Sequence, residues 1–214
     1  MIDQERIVFV VDDDPGARES VVALVASKGL DVVEYSSAEE FLASYDSTRK
    51  GCLVADVRMK EMSGLDLLRR LNQDKIVLPT IVITGYADVP MAVQAMQDGA
   101  VTFLEKPCKK QELWSSIELA LDLEKQQRLA AELQSEVEQR IEQLTLEERA
   151  VMGMVVQGIA NKRIATELDI GLRTVELRRS QVMKVLRAES LPELVRMAIL
   201  VNFQPPKNLQ PPEE

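Results

Sequence analysis

Apolar residues in the first 122 positions form short continuous runs that alternate with segments where they recur every three or four positions. A run of β-branched and aromatic residues such as Ile7-Val8-Phe9-Val10-Val11 predicts a strand buried on both faces, hence a parallel sheet covered by helices. Five strands are predicted, at 7–11, 31–35, 51–55, 80–84 and 101–104. A helix follows each. The first, 15–29, opens with Asp14-Pro15 as N-cap and first helical residue, and the second opens with Ser37-Ala38-Glu39-Glu40 read as a capping box. The others are 63–72, 89–97 and a segment carrying Leu113, Ile117 and Leu121. Strict alternation predicts an α/β doubly wound five-stranded parallel sheet with right-handed crossovers over residues 1–122.

Beyond residue 122 the pattern is helical throughout. Residues 124–143 lack Gly and Pro and are rich in Glu, Gln, Lys, Ala and Leu, so the preceding helix is predicted to run on as a long helical linker, 123–144. Leu119, Leu123, Gln126, Ala130, Leu133, Val137, Arg140 and Leu144 alternate spacings of four and three. That is a heptad seam with two polar interruptions, read as a coiled-coil dimer or a helix leaning on a neighbouring domain. Thr145-Leu146-Glu147-Glu148 is a capping box opening an all-α unit of four helices, 145–204, with Val151, Met154 and Val155 on the first apolar face. Helices at 161–168 and 173–186 joined by Asp169-Ile170-Gly171 form a helix-turn-helix pattern, and a last helix covers 191–201. Four prolines after Phe203 predict a disordered tail, 205–214.

Composition narrows the chemistry. No apolar run among the 214 residues is long enough to span a bilayer, and Met1 to Glu5 is acidic where a secretory signal would be basic, so the expected location is the cytoplasm. The chain has no histidine, which removes Ser-His and Cys-His nucleophiles and any catalytic imidazole, and Cys52 and Cys108 lack metal-ligand spacing. The net charge is −9. Only 145–204 carries more Lys and Arg than Asp and Glu, so a polyanion would be met there.

In a doubly wound sheet the residues just after each strand share one edge, which makes Asp12, Asp13, Asp56, Thr84 and Lys106 neighbours despite their separation in sequence. Three carboxylates there make a hard oxygen site suited to Mg²⁺, and Lys106 and Thr84 suit the oxygens of a phosphoryl group.

With Val-Asp-Asp at 11–13, Asp-Val-Arg-Met at 56–59, Met-Ser-Gly at 62–64, Ile-Thr-Gly at 83–85 and Lys-Pro at 106–107, residues 5–122 resemble the flavodoxin-like receiver domain of two-component response regulators. The resemblance implies that Asp56 accepts a phosphoryl group from a sensor histidine kinase. It also implies that Asp13, Asp56 and the carbonyl of Arg58 ligate Mg²⁺ with Asp12 helping through water, and that Thr84 and Phe103 form a switch. Lys60 stands where that family commonly has proline, and the Lys106-Pro107 bond is a candidate for the cis form.

Leu-Thr-x-x-Glu at 144–148, Asn-Lys-x-Ile-Ala at 161–165 and Arg-Thr-Val-Glu at 173–176 resemble the LuxR-type DNA-binding domain, and the whole chain resembles the FixJ/NarL subclass of response regulators. What this implies is a phosphorylation-dependent transcriptional regulator whose helix from Thr174 lies in the major groove. Glu176, Leu177 and Ser180 would face base edges, and Asn161, Lys162, Arg173, Arg178 and Arg179 would favour phosphates. Implied partners are the kinase, double-stranded promoter DNA, a second copy through the face around 89–122 and the linker, and RNA polymerase. The sequence also admits two rival readings. One is a phospho-regulated protein-interaction module whose helical bundle does not bind DNA; the other is a phosphatase using Asp12, Asp14, Thr84 and Lys106.

Overall fold

The computed structural model describes residues 6–206, and of the tail expected to be disordered, 205–214, all but Pro205 and Pro206 lies outside them. The chain forms two compact units, Met1–Arg128 and Leu129–Glu214. Among the described residues no helix is long and apolar enough to cross a membrane.

In the first unit β1 (Arg6–Val11), α1 (Pro15–Ser27), β2 (Asp31–Tyr35), α2 (Ala38–Ser44), β3 (Lys50–Asp56), α3 (Gly64–Gln73), β4 (Thr80–Thr84), α4 (Val89–Gln97) and β5 (Thr102–Glu105) alternate as the apolar pattern predicts. The sheet is parallel, in the order β2-β1-β3-β4-β5. One face packs Val8, Val10, Val54, Ile81 and Ile83 against Val21, Val25 and Ile117. The other buries Phe9, Val11, Leu53 and Ala55 with Phe41 and Leu67. With apolar residues on both faces, β1, β3 and β4 have no polar alternation, so their pattern reads as unbroken runs.

Asp14 caps α1, accepting from Ala17 N–H at 2.7 Å, with Pro15 as the first helical residue. The second cap differs from the predicted capping box. Ser37 accepts from Glu40 N–H at 3.1 Å, but the Glu40 carboxylate turns to the N–H and hydroxyl of Ser36, each at 2.8 Å, rather than to Ser37. Those two bonds, the backbone one first, hold the Glu40 carboxyl below the usual carboxylate range.

α5 runs unbroken from Lys110 to Glu142, about 50 Å at 1.5 Å per residue. The second unit continues with α6 (Leu146–Val156), α7 (Asn161–Glu167), α8 (Leu172–Leu186) and α9 (Leu191–Leu200). The capping box at its start is complete: Glu148 N–H donates to Thr145 Oγ1 at 3.2 Å and Thr145 N–H to Glu148 Oε2 at 2.9 Å. The turn between α7 and α8 places Asp169 at φ 50°, a conformation that Asp tolerates better than most side chains.

The heptad seam divides. Leu119 and Leu133 are exposed, whereas Val137 and Leu144, with Ile141, are buried in the core of the second unit beside Val151, Val175 and Leu186. Arg140, predicted as a polar interruption, donates from Nη1 to the carbonyl of Leu186 at 3.1 Å and pairs with Glu136. The last turns of α5 therefore spend their apolar positions inside their own unit, and only the earlier seam positions stay open to a partner helix. The helical spacing is the same in both halves, so spacing alone does not separate them.

Candidate functional site

The carboxyl ends of β1, β3, β4 and β5 deliver the residues that the sequence places together. Asp12 is pinned through both of its own backbone groups: its N–H donates to Tyr35 O at 3.2 Å, and its carbonyl accepts from the Arg18 side chain, Nη1, at 2.7 Å. Its side chain, 1% exposed, accepts from Asp14 N–H through Oδ1 at 3.0 Å and from Lys106 Nζ through Oδ2 at 2.6 Å. Asp56, the last residue of β3, is 5% exposed; Oδ1 accepts from the same Lys106 Nζ at 2.6 Å and Oδ2 from Arg58 N–H at 2.7 Å. One ammonium thus bridges two buried carboxylates. Asp13 is half-buried beside them.

Burial pushes the Asp56 carboxyl above its usual range, and the charge of Asp12 acts in the same sense, while Lys106 and the Arg58 N–H oppose. Burial disfavours the Lys106 ammonium, but the bonds to Asp12 and Asp56 outweigh it, so its pKa is raised and it stays charged.

Thr84, fully buried at the end of β4, links the site to its surroundings. Its carbonyl accepts from Lys106 N–H at 2.7 Å and its hydroxyl from Tyr86 N–H at 3.3 Å. The Lys106-Pro107 bond is cis. Phe103 is half-buried against Val57, Leu68, Val82, Ala95 and Ala100. The loop after Asp56 starts α3 at Gly64, where a Cβ would lie 2.2 Å from the Asp56 carbonyl oxygen, so only glycine allows this approach. Lys60 is exposed in the same loop.

Among the described residues no three His, Cys, Asp or Glu side chains converge closely enough to hold a metal by themselves. The donors present are nevertheless all oxygen. Asp12 and Asp56 bring two carboxylates against the single ammonium of Lys106, an excess of negative charge in a mostly buried pocket, and the half-buried Asp13 follows Asp12 directly in the chain. That set fits a hard divalent cation which keeps part of its water shell, such as Mg²⁺.

In the second unit, the predicted nucleic-acid residues sort by exposure. Arg173, Glu176, Leu177 and Ser180 are exposed along one side of α8, at the three- and four-residue spacing that aligns them, opposite the buried Val175, Val182 and Leu186. Lys162 is exposed on α7, and Asn161, Thr174, Arg178 and Arg179 are half-buried. Arg179 is engaged within the protein, donating from Nη1 to Asn161 Oδ1 at 3.0 Å and so tying α8 to α7. Arg178 lies near enough to Glu147 to help hold that carboxyl low, after its backbone and Thr145 hydrogen bonds. An exposed, partly cationic helix face after a tight turn can enter a major groove.

Some residues that shape the site escape sequence reasoning. The family resemblance gives Arg58 a role only through its carbonyl, but its guanidinium also stacks 4.1 Å from the centroid of the Tyr86 ring. Arg18 anchors Asp12, and Glu39 on α2 reaches the loop after Asp56, accepting from Met62 N–H at 3.0 Å. The contacts of Arg58 and Glu39 join elements distant in sequence, Arg18 reaches back from α1 to the end of β1, and none carries a local signal. Gly64 does carry one, in the Ser-Gly turn.

Comparison with known proteins follows this division. Residues 8–118 match the response regulator receiver domain family, and residues 142–198 match the bacterial regulatory proteins of the luxR family. The chain is 45% identical over 202 residues to the transcriptional regulatory protein FixJ of Rhizobium meliloti, covering 92% of this chain and 97% of that protein. It is 42% identical over 197 residues to the response regulator protein TmoT of Ectopseudomonas mendocina, covering 92% and 90%. Among solved structures, the response regulator StyR aligns with a TM-score of 0.81 at 39% identity, over 91% of this chain and 98% of that one.

Proposed function

This chain belongs to the response regulators that join a receiver to a LuxR-type DNA-binding domain, and we propose that Asp56 accepts the phosphoryl group that switches it. It is a phosphorylation-dependent transcriptional regulator, and the protein-interaction and phosphatase readings give way to that family membership. The observation that carries the assignment to Asp56 is the single Lys106 ammonium held 2.6 Å from both Asp12 and Asp56 in one buried pocket.

The donor is a sensor kinase phosphohistidine. An Asp56 carboxylate oxygen attacks phosphorus in line, the O–P bond forms as the P–N bond breaks, and the imidazole leaves. Lys106 passes from carboxylate to phosphoryl oxygen and neutralises charge there. Asp12, Asp13, Asp56 and the Arg58 carbonyl would hold Mg²⁺, which when bound offsets the negative charge of the phosphoryl oxygens. The same groups serve later hydrolysis of the acyl phosphate, so that the receiver assists its own phosphorylation and dephosphorylation and no other reaction.

Thr84 then exchanges its Tyr86 N–H bond for one donated by its hydroxyl to the phosphoryl oxygen, and Phe103 takes up the vacated space. Exposed Val89, Val93 and Met96 on α4 with Leu119 on α5 support pairing with a second copy. Pairing brings two α8 helices to promoter half-sites, where Glu176, Leu177 and Ser180 face bases and Lys162, Arg173 and Arg178 face phosphates, with RNA polymerase as a further partner. The domains on this reading are receiver 1–122, linker 123–144 and DNA-binding unit 145–204, acting in the cytoplasm.

The test is selection of bound sites from random duplexes with and without a small acyl phosphate and Mg²⁺. A near-palindromic site enriched after treatment, with Asp56→Asn unresponsive, is the expected result. Equal enrichment from Asp56→Asn after treatment would refute Asp56 as the acceptor.

A further inference from the structure

We propose that Glu39 is a positioning residue for the phosphoryl-accepting site, holding from α2 the loop that carries the backbone of Arg58; this rests on the reading that Asp56 is the acceptor. The loop 57–63 has no regular structure and no proline, and Lys60 at its centre is exposed. Its ends are fixed: Val57 N–H donates to Ile83 O at 2.9 Å, and Gly64 N–H to Val57 O at 3.1 Å. Between them Arg58 N–H donates to Asp56 Oδ2 at 2.7 Å, and Met62 N–H donates to Glu39 Oε1 at 3.0 Å across 23 positions of sequence.

Those two bonds face opposite ways. The first binds the loop to the acceptor carboxylate, and the second binds it to a different element of the fold. A loop without proline retains backbone freedom that must be lost whenever Asp56 and the Arg58 carbonyl adopt their working geometry. Glu39 removes part of that freedom in advance. Glu39 itself stands in the first turn of α2, where a carboxylate is favoured by the helix dipole, and Met59 and Met62 pack on the core that holds Phe41 of the same helix. The second oxygen, Oε2, is buried and accepts no hydrogen bond among the described residues. Keeping a carboxylate in that setting is costly, and the bond to Met62 is what it secures.

The acceptor oxygen is what matters here, not the charge, which separates the variants. In the full-length chain without Mg²⁺, hydrogen exchange of the Met62 and Arg58 amides should accelerate in Glu39→Ala and remain near wild type in Glu39→Gln. With a small acyl phosphate and Mg²⁺, Glu39→Ala should take up phosphoryl groups about tenfold more slowly and need more Mg²⁺ for half the maximal rate, as expected for a lost positioning contact. Glu39→Gln should stay within about threefold of wild type. Lys60→Pro added to Glu39→Ala should recover most of the loss, because proline restricts the same loop from within. Glu39→Asp, one methylene shorter, keeps the charge and should show the defect if Glu39→Ala fails to fold.

Unchanged exchange and uptake in both Glu39→Ala and Glu39→Asp would overturn the proposal. So would equal defects in the Gln and Ala variants, or no recovery with Lys60→Pro. A wild-type chain that takes up no more phosphoryl than Asp56→Asn would defeat the underlying reading instead, whatever Glu39 does to amide exchange.

Discussion

Arg140 Nη1 donates to the carbonyl oxygen of Leu186 at 3.1 Å, so the last turns of α5 grip the C-terminal end of α8, the helix proposed to read DNA. Val137, Ile141 and Leu144 from the same turns fill that unit's core, and Arg149 closes the α5 end with bonds to the carbonyls of Ile141, Glu142 and Leu144. The DNA-binding unit therefore needs residues N-terminal to Thr145. Ile141→Ala should cost it about 2–5 kcal/mol. Arg140→Ala should cost about 1–2 kcal/mol through the lost charged bond at a helix C-terminus. A chain beginning at Leu129 should unfold cooperatively in urea, and one beginning at Thr145 should not. Equal midpoints for the two would show that α5 adds nothing to the fold.

Mg²⁺ should raise the thermal midpoint of the receiver. Two buried carboxylates share one ammonium in the pocket, and a divalent cation relieves that imbalance only in the folded state. At a hundredfold excess over Kd the gain approaches about 2.7 kcal/mol. In Asp56→Asn the shift should shrink sharply, and chelation should reverse it in wild type. A shift of undiminished size in Asp56→Asn, followed by differential scanning fluorimetry, would take Asp56 out of the cation site.

How far the sequence discloses this arrangement depends on the range of the interaction. Ile7 to Val11 and Thr80 to Thr84 read as buried strands because both their faces are covered, and a parallel sheet sends every strand end to one edge. That topology alone brings Asp12, Asp56, Thr84 and Lys106 together. The bond from Met62 to Glu39 and the one from Arg140 to Leu186 have no such rule behind them, because each depends on how two elements pack. The heptad seam shows the same limit: Leu133 and Val137 fit one spacing, yet one is exposed and the other is fully buried. The displaced capping bond of Glu40 is a third case: its carboxylate takes both the N–H and the hydroxyl of Ser36, one residue before the expected Ser37.

Arg173 and Arg179 should behave differently on DNA although both are arginines on α8. Arg173 is exposed and free to meet a phosphate, so Arg173→Ala should reduce the slope of log K against log salt by about 1 for any sequence. Arg179 is bonded to Asn161, so Arg179→Ala should also loosen α7 against α8 and lower thermal stability. Glu176→Ala should relax preference at one base position by about 1–3 kcal/mol with little effect on the slope. Identical salt slopes for wild type and Arg173→Ala would remove Arg173 from the phosphate contacts.

The two thiols should separate cleanly by accessibility. Cys52 is fully buried in β3, and that burial, with the charge of Glu124 acting in the same sense, pushes its pKa far above the ordinary thiol range. Cys108 is half-buried; burial comes first among the causes that raise its pKa, with Glu112 adding to it and Lys106 opposing. Since the thiolate is the reacting form, both should label slowly at neutral pH. Cys108 should react first and accelerate as pH rises above the ordinary thiol value, giving one modification per native chain and two in denaturant, counted by intact mass. Cys52→Ser should cost about 1–3 kcal/mol, because a hydroxyl in that apolar site lacks a partner. If Cys52 labelled in the native chain as fast as Cys108, β3 would have to open readily, and β3 carries Asp56. Slow labelling of Cys52 together with fast phosphorylation would instead show that phosphoryl transfer needs only the loop edge of the sheet to move, while the strand behind it stays closed.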